Sequence, residues 1–164
     1  MRRSSLATLL AAGCILSVAA AAPRSARAGE VAPPFTIHTL DGKSVRLSDL
    51  HGRPVILDFW ATWCGPCRSS MPHLSAMQSR YRDRGLVVIG VSMDDEDAKF
   101  VRHFADRMGL TFRVALAEDP LIDAYGPITA LPTAIYIGRD GRIVRRVVGY
   151  IDAETMEAYV RELF

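Results

Sequence analysis

At 164 residues the chain has room for one domain and not comfortably for two. Apolar side chains make up 49% of it, enough to bury a core, and no disordered, collagen-like or repeat pattern fits. The formal net charge of +2 rests on four arginines in the first 28 residues, a stretch without acids; beyond it the charge is −2, which excludes a basic surface for nucleic acid.

Residues 1–28 stand apart from the rest. Met1-Arg2-Arg3 is a basic opening, residues 6–22 are apolar or small and uncharged, and Ala26-Arg27-Ala28 fits a small-x-small cleavage pattern. This is the build of a secretory signal peptide and implies a periplasmic or otherwise extracytoplasmic mature protein. An uncleaved anchor is the alternative, and it would be the chain's only hold on a membrane. Cys14 leaves with the leader, so two of the three cysteines remain. Residues 29–34 read as a linker, and residues 35–164 as the folded domain.

Phe35-Thr36-Ile37-His38 and Ser44-Val45-Arg46-Leu47 alternate in polarity around Asp41-Gly42, a hairpin signal with His38 facing solvent. Residues 54–60 form a continuously apolar run, interrupted by Asp58, that suits a central strand covered on both faces. A helix follows from about Cys64, with Met71, Leu74, Met77 and Tyr81 on one face and Gly85 at its end. Residues 86–92 are a second buried strand. Asp94-Asp95-Glu96-Asp97 then opens a helix whose apolar face holds Phe100, Val101, Phe104, Ala105 and Met108; the four acids read as a cap with favourable dipole charges, not a metal site. A short strand at 112–116, a short helix from Asp119-Pro120 to Tyr125, a hairpin of 133–137 with 142–148, and a helix capped by Asp152 complete the chain. The alternation predicts an α/β fold with a mixed central sheet.

The chemistry concentrates in Trp60-Ala61-Thr62-Trp63-Cys64-Gly65-Pro66-Cys67, between a buried strand and a helix start. Unpaired amides and the dipole at a helix N-terminus favour an anion, so they stabilise a thiolate on Cys64. Cys67 lies within one turn, less exposed, and the spacing lets the two sulfurs pair. Half a zinc site would need two more ligands, yet no further Cys remains and His38, His51, His73 and His103 are scattered. Haem attachment would need His directly after Cys67, where Arg68 stands. Redox use is the reading that survives.

The stretch Leu57-Asp58-Phe59-Trp60-Ala61-Thr62-Trp63-Cys64-Gly65-Pro66-Cys67 resembles the active-site stretch of the thioredoxin superfamily at nearly every position. Pro72 is similar to that family's proline within the active-site helix, and Leu131-Pro132-Thr133 to its cis-proline loop. The leader, the first hairpin and the added helix and strand between Asp94 and Leu116 resemble the exported TlpA/ResA-like reductases. The resemblance covers essentially the whole mature chain. It implies a thioredoxin-like fold and a thiol–disulfide oxidoreductase needing no cofactor, with Cys64 as nucleophile, Cys67 as resolving thiol and Asp58 as the base that takes the Cys67 proton through water. It also implies a cis Pro132 against the cysteine pair, a substrate segment laid along the Leu131 backbone, and contacts from Trp63, Gly65 and Pro66. Trp60 is expected to pack beneath the site. Implied partners are protein disulfides, with a membrane thiol carrier of the DsbD/CcdA type as electron donor. Implied clients include apocytochrome c and copper-site cysteines of respiratory oxidases.

Two departures from the family pattern concern Asp58. Gly90 stands where thioredoxin carries a lysine, and Ser70 stands where many TlpA/ResA-like proteins carry a glutamate. Asp58 is thus expected to serve alone. The Gly65-Pro66 spacer is that of reducing thioredoxins and favours a reductase. An oxidase or isomerase remains an alternative, as do a copper-binding module that uses the Cys64 and Cys67 thiolates and a peroxidase of the related peroxiredoxin fold. The Thr-x-x-Cys site of that last family is absent.

Overall fold

A computed structural model describes residues 26–164. The predicted leader lies outside the described residues except for its last three, and Cys14 lies outside them too. The elements run β1 (Thr36–His38), β2 (Ser44–Arg46), β3 (Val55–Trp60), α1 (Gly65–Tyr81), β4 (Val87–Ser92), α2 (Ala98–Arg107), β5 (Arg113–Leu116), α3 (Asp119–Tyr125), β6 (Thr133–Ile137), β7 (Ile143–Val148) and α4 (Ala153–Arg161). The predicted order of hairpin, alternating strands and helices, second hairpin and final helix is the one observed.

The five-stranded sheet has the order β5-β4-β3-β6-β7. β3 pairs in parallel with β4, and β4 with β5, while β6 runs antiparallel to both β3 and β7. The helical crossovers α1 and α2 therefore fall on one face, where α4 joins them. The other face carries α3 and the β1–β2 hairpin. Both β3 and β4 are buried at every position, as their near-continuous apolarity requires. Along β3 the side chains alternate: Val55, Leu57 and Phe59 enter the α3 side, while Ile56, Asp58 and Trp60 enter the α1/α4 side. That alternation places a carboxylate inside the larger core.

Helix α1 buries Cys67, Ser70, Met71, Leu74, Met77 and Tyr81 against the sheet, and Pro72 lies within it. Gln78 clamps this helix to the next strand: its Nε2 donates to the Leu86 carbonyl and its Oε1 accepts from the Val88 amide at 2.7 Å. A short 3-10 turn then ends at Gly85, whose φ of 95° only glycine adopts without strain. Helix α2 differs from expectation at one residue. Val101, Phe104 and Ala105 are buried, but Phe100 is 46% exposed, because it lies roughly a quarter-turn from the centre of that stripe. Asp97 caps α2 by accepting from the Lys99 and Phe100 amides. Asp152 caps α4 through the Thr155 amide.

Residues 29–34, read as a linker from sequence, run along the β7 edge. The Gly29 amide donates to Ile143, the Ala32 amide to Gly141, and Val31 bridges Arg142. At the opposite edge Thr39 bridges Ala115 and the Leu40 amide donates to Val114. His38 faces out as expected and meets Glu118 at 3.2 Å. Among the described residues, no helix is long and apolar enough to cross a membrane.

Candidate active site

The central strand β3 ends at Trp60, and the chain turns through Ala61, Thr62 and Trp63 into α1. Cys64 is the N-cap of that helix, with Gly65 and Pro66 opening it. Proline suits this place, since its missing N–H would have had no helical partner. The Cys67 amide, a free donor of the first turn, points at Cys64 Sγ at 3.2 Å. No acid occupies this turn. The site thus offers the Cys64 sulfur an amide and a positive helix end and opposes it with no local negative charge.

Cys64 and Cys67 are joined as a disulfide, with Cα atoms 5.3 Å apart. The pair is asymmetric. Cys64 reaches the surface at 5% exposure, while Cys67 is fully buried. In front of Cys64 lies a cleft of about 560 Å³ lined by Trp63, Gly65, Pro66, Met93, Ile128 and Leu131, among others. Trp63 is 69% exposed at its rim, whereas Trp60 is fully buried and stacks on Phe104. Four residues expected to meet substrate, Trp63, Gly65, Pro66 and Leu131, therefore share one cleft with Cys64. Pro132 does not line it. The Leu131–Pro132 bond is cis, and Pro132 is buried in the wall of a second, smaller recess between α1 and β6.

That recess belongs to Asp58. Ser70 and Leu74 of α1, Ala134 and Tyr136 of β6, Gly149, Ile151 and Met156 line it. Asp58 is 2% exposed, and its Oδ2 has no hydrogen-bond partner. Burial alone pushes the carboxyl up from 3.8 to about 8, because a charge there would be desolvated without compensation. Burial thus moves this carboxyl, on the strand that leads into the cysteine pair, into the range useful for acid or base chemistry.

The structure gives a physical reason for the absent lysine. Asp58 and Gly90 are register partners on β3 and β4. A Cβ at Gly90 would stand 2.8 Å from both Phe112 Cε2 and Trp60 Nε1. The space a side chain at position 90 would need is filled by two aromatic rings. Gly90→Ala is expected to destabilise the fold by about 1–3 kcal/mol through overpacking, read as a lower urea midpoint with an unchanged slope; a midpoint at or above the parent's would contradict it. Ser70 is 3% exposed and spends its hydroxyl on the Cys67 carbonyl at 2.9 Å.

Two residues of the site were not singled out by sequence. Asp94 was read only as part of a capping run. Its carboxylate instead accepts from the Thr62 amide at 3.0 Å, the Thr62 hydroxyl at 2.6 Å and the Ser92 hydroxyl at 2.6 Å. It pins the loop before the cysteines to the end of β4, helped by the Met93 amide donating to the Trp60 carbonyl at 2.7 Å. The only signal for it was an acid two residues past the strand that neighbours β3. Tyr136, the second, turns its ring into the Asp58 recess. Of the soft donors on α1 beyond the cysteines, Met71 is fully buried in the core, and the His73 ring meets the Tyr150 hydroxyl at 3.4 Å. Among the described residues no group of three or more His, Cys, Asp or Glu side chains is placed to hold a metal ion.

Comparison with known proteins agrees with this geometry. Residues 28–146 match the model of the AhpC/TSA family. The chain is 35% identical over 136 residues to the thiol-disulfide oxidoreductase ResA of Bacillus thuringiensis strain Al Hakam, covering 82% of this chain and 78% of that one. It is 38% identical to the ResA of Halalkalibacterium halodurans, covering 82% and 76%. Among solved structures, the thiol:disulfide interchange protein of the thioredoxin family from Chlorobium tepidum TLS superposes with a TM-score of 0.75 at 30% identity, covering 88% of this chain and 99% of that one.

Proposed function

Given that this chain belongs to the AhpC/TSA family and is a thiol–disulfide oxidoreductase of thioredoxin-like fold, we propose that it works as a reductase of protein disulfides outside the cytoplasm. The observation that carries this reading is the asymmetry of the pair, one sulfur on an apolar cleft and the other sealed from solvent, with the buried Asp58 on the strand that leads into them.

Reduced Cys64, as thiolate, attacks one sulfur of a client disulfide. The new Cys64–client bond forms as the client's own S–S bond breaks, and the departing client thiolate takes a proton from solvent. Cys67 then loses its proton to Asp58 through water and attacks Cys64 Sγ. The second client sulfur leaves as a thiolate, which is protonated in turn. Two electrons have passed to the client, and Cys64–Cys67 is oxidised. Trp63, Gly65, Pro66 and Leu131 hold the client segment in the cleft, and Pro132 keeps the Leu131 backbone against the sulfurs.

A reductase in an oxidising compartment needs electrons from elsewhere, and a membrane thiol carrier of the DsbD/CcdA type suits that need. Apocytochrome c and copper-site cysteines of respiratory oxidases are fitting clients. Residues 1–28 act as the export signal in this reading, and residues 35–164 as the catalytic domain.

The Gly65-Pro66 spacer sets the direction. The Cys64–Cys67 couple is expected near the potential of thioredoxin, about −270 mV, and well below the about −120 mV of a strong oxidase. Equilibration with dithiothreitol or glutathione, followed by trapping of free thiols, measures it. A value near the oxidase end would replace the reductase with an oxidase.

A further inference from the structure

Three of the four buried side-chain polar atoms that lack a hydrogen-bond partner among the described residues are neighbours: Asp58 Oδ2, Tyr136 Oη and Arg145 Nε. The fourth, Trp60 Nε1, lies beside Gly90. Chance rarely clusters such atoms, since nearly all buried polar groups find partners. The sheet explains their line. Asp58 pairs with Ala134, so Tyr136, two residues along β6, projects from the same face. Tyr136 in turn pairs with Arg145 on β7. Asp58 and Tyr136 line one recess, which has room for about a single water.

We propose that Tyr136 is the positioning residue for Asp58: its hydroxyl donates to a water in this recess, and that water donates to the Asp58 carboxylate. The inference rests on the reading of Asp58 as the proton acceptor for Cys67. It places the polar support for Asp58 on β6, since Gly90 of the other neighbouring strand admits no side chain.

The direction of donation follows from the charges around the ring. Tyr136 faces Asp58 from β3, Arg145 from β7 and Tyr159 from α4, whose ring stands edge-on at 6.0 Å. From α1 the recess receives only Ser70 and Leu74, which do not titrate in this range. A cation on one side and a carboxyl on the other turn the hydroxyl oxygen toward Arg145 and its proton toward Asp58, and a guanidinium can only donate. Burial, reinforced by Asp58, raises the Tyr136 phenol well above its ordinary value, so it stays a donor at every working pH. A donor aimed at the carboxylate favours the charged form and holds the Asp58 midpoint below what burial alone would give.

Tyr136→Phe removes the hydroxyl and leaves the ring. Carbon-13 NMR titration of the Asp58 carboxyl in the oxidised protein is expected to show the midpoint rising by ~1 unit in this variant, and Tyr159→Phe is expected to leave it in place. An Asp58 midpoint that stays or falls in Tyr136→Phe overturns the proposal, whatever turnover does, because this measurement needs no catalysis. The rate of Cys67 attack on a preformed Cys64 mixed disulfide should shift its pH profile upward by the same amount. It should not shift when Asp58→Asn is already present. If the carboxyl titration moves and the kinetic profile does not, the Tyr136–Asp58 link stands and the base role of Asp58 falls.

Discussion

Cys64→Ser reduces disulfide turnover by at least ~10³-fold, while Cys67→Ser still attacks and halts at the mixed disulfide. The two variants differ because the two sulfurs differ in access. Cys64 caps α1 at the cleft, with the Cys67 amide directed at its sulfur. Cys67 sits at zero exposure under it and can reach only Cys64. A client sulfur can therefore approach one member of the pair. Gel shifts under non-reducing conditions separate the outcomes: Cys67→Ser accumulates a client-linked species that dithiothreitol dissolves, and Cys64→Ser does not. Recovery of a client adduct on Cys67 in the Cys64→Ser protein would overturn the assignment. The same Cys67→Ser trap, run in cells, names the client and with it the pathway.

Asp58→Asn slows the second step by on the order of 10²-fold at neutral pH and at the same time stabilises the protein at alkaline pH. Burial penalises the charge of the native carboxyl and pushes its midpoint up toward about 8. In the unfolded chain it titrates near 4. Between these values the native state holds a proton that the unfolded state has released. Stability is thus fully present below about pH 4 and falls as pH climbs toward 8, by at most about 1.4 kcal/mol per unit. Asparagine cannot ionise, so the variant loses this slope. At pH 8 its stability should exceed the parent's by roughly 1–4 kcal/mol, less whatever the buried amide costs for want of partners. Urea titrations of the oxidised proteins at pH 5 and pH 8 measure the difference. Decay of a Cys64 mixed disulfide measures the kinetic half. Equal decay rates across pH would remove Asp58 from the mechanism, and parallel stability curves would remove the buried charge.

Much of this site was legible because its signals are local. The C-x-x-C, its place between strand and helix, and an acid inside an apolar strand all lie within residues 55–67. The strands and helices follow from two competing periodicities, and both hairpins from their Gly-containing turns. What escaped depends on which strand neighbours which. Four consecutive acids are equivalent in the sequence, yet only the parallel pairing of β3 with β4 brings Asp94 under Thr62, while Asp97 takes the cap. Tyr136 reads as an ordinary apolar position in a buried strand until β6 is laid antiparallel beside β3. Gly90 could be seen to replace a lysine, but not that Trp60 and Phe112 close the space. Phe100 was placed on the buried face because periodicity marks a stripe and not its edges.

The path of residues 29–40 has a further consequence. This one stretch touches Arg142 at the outer rim of β7 and Ala115 at the outer rim of β5, crossing a whole face of the sheet between them. Further along β7, Arg146 turns its guanidinium to the Tyr125 and Pro127 carbonyls. Both exposed rims, the places where a foreign strand would add on, are therefore interrupted by the chain itself. A protein that acts on other polypeptides, as proposed above, is thereby guarded against pairing with them edge to edge, and contact with them falls to the cleft before Cys64.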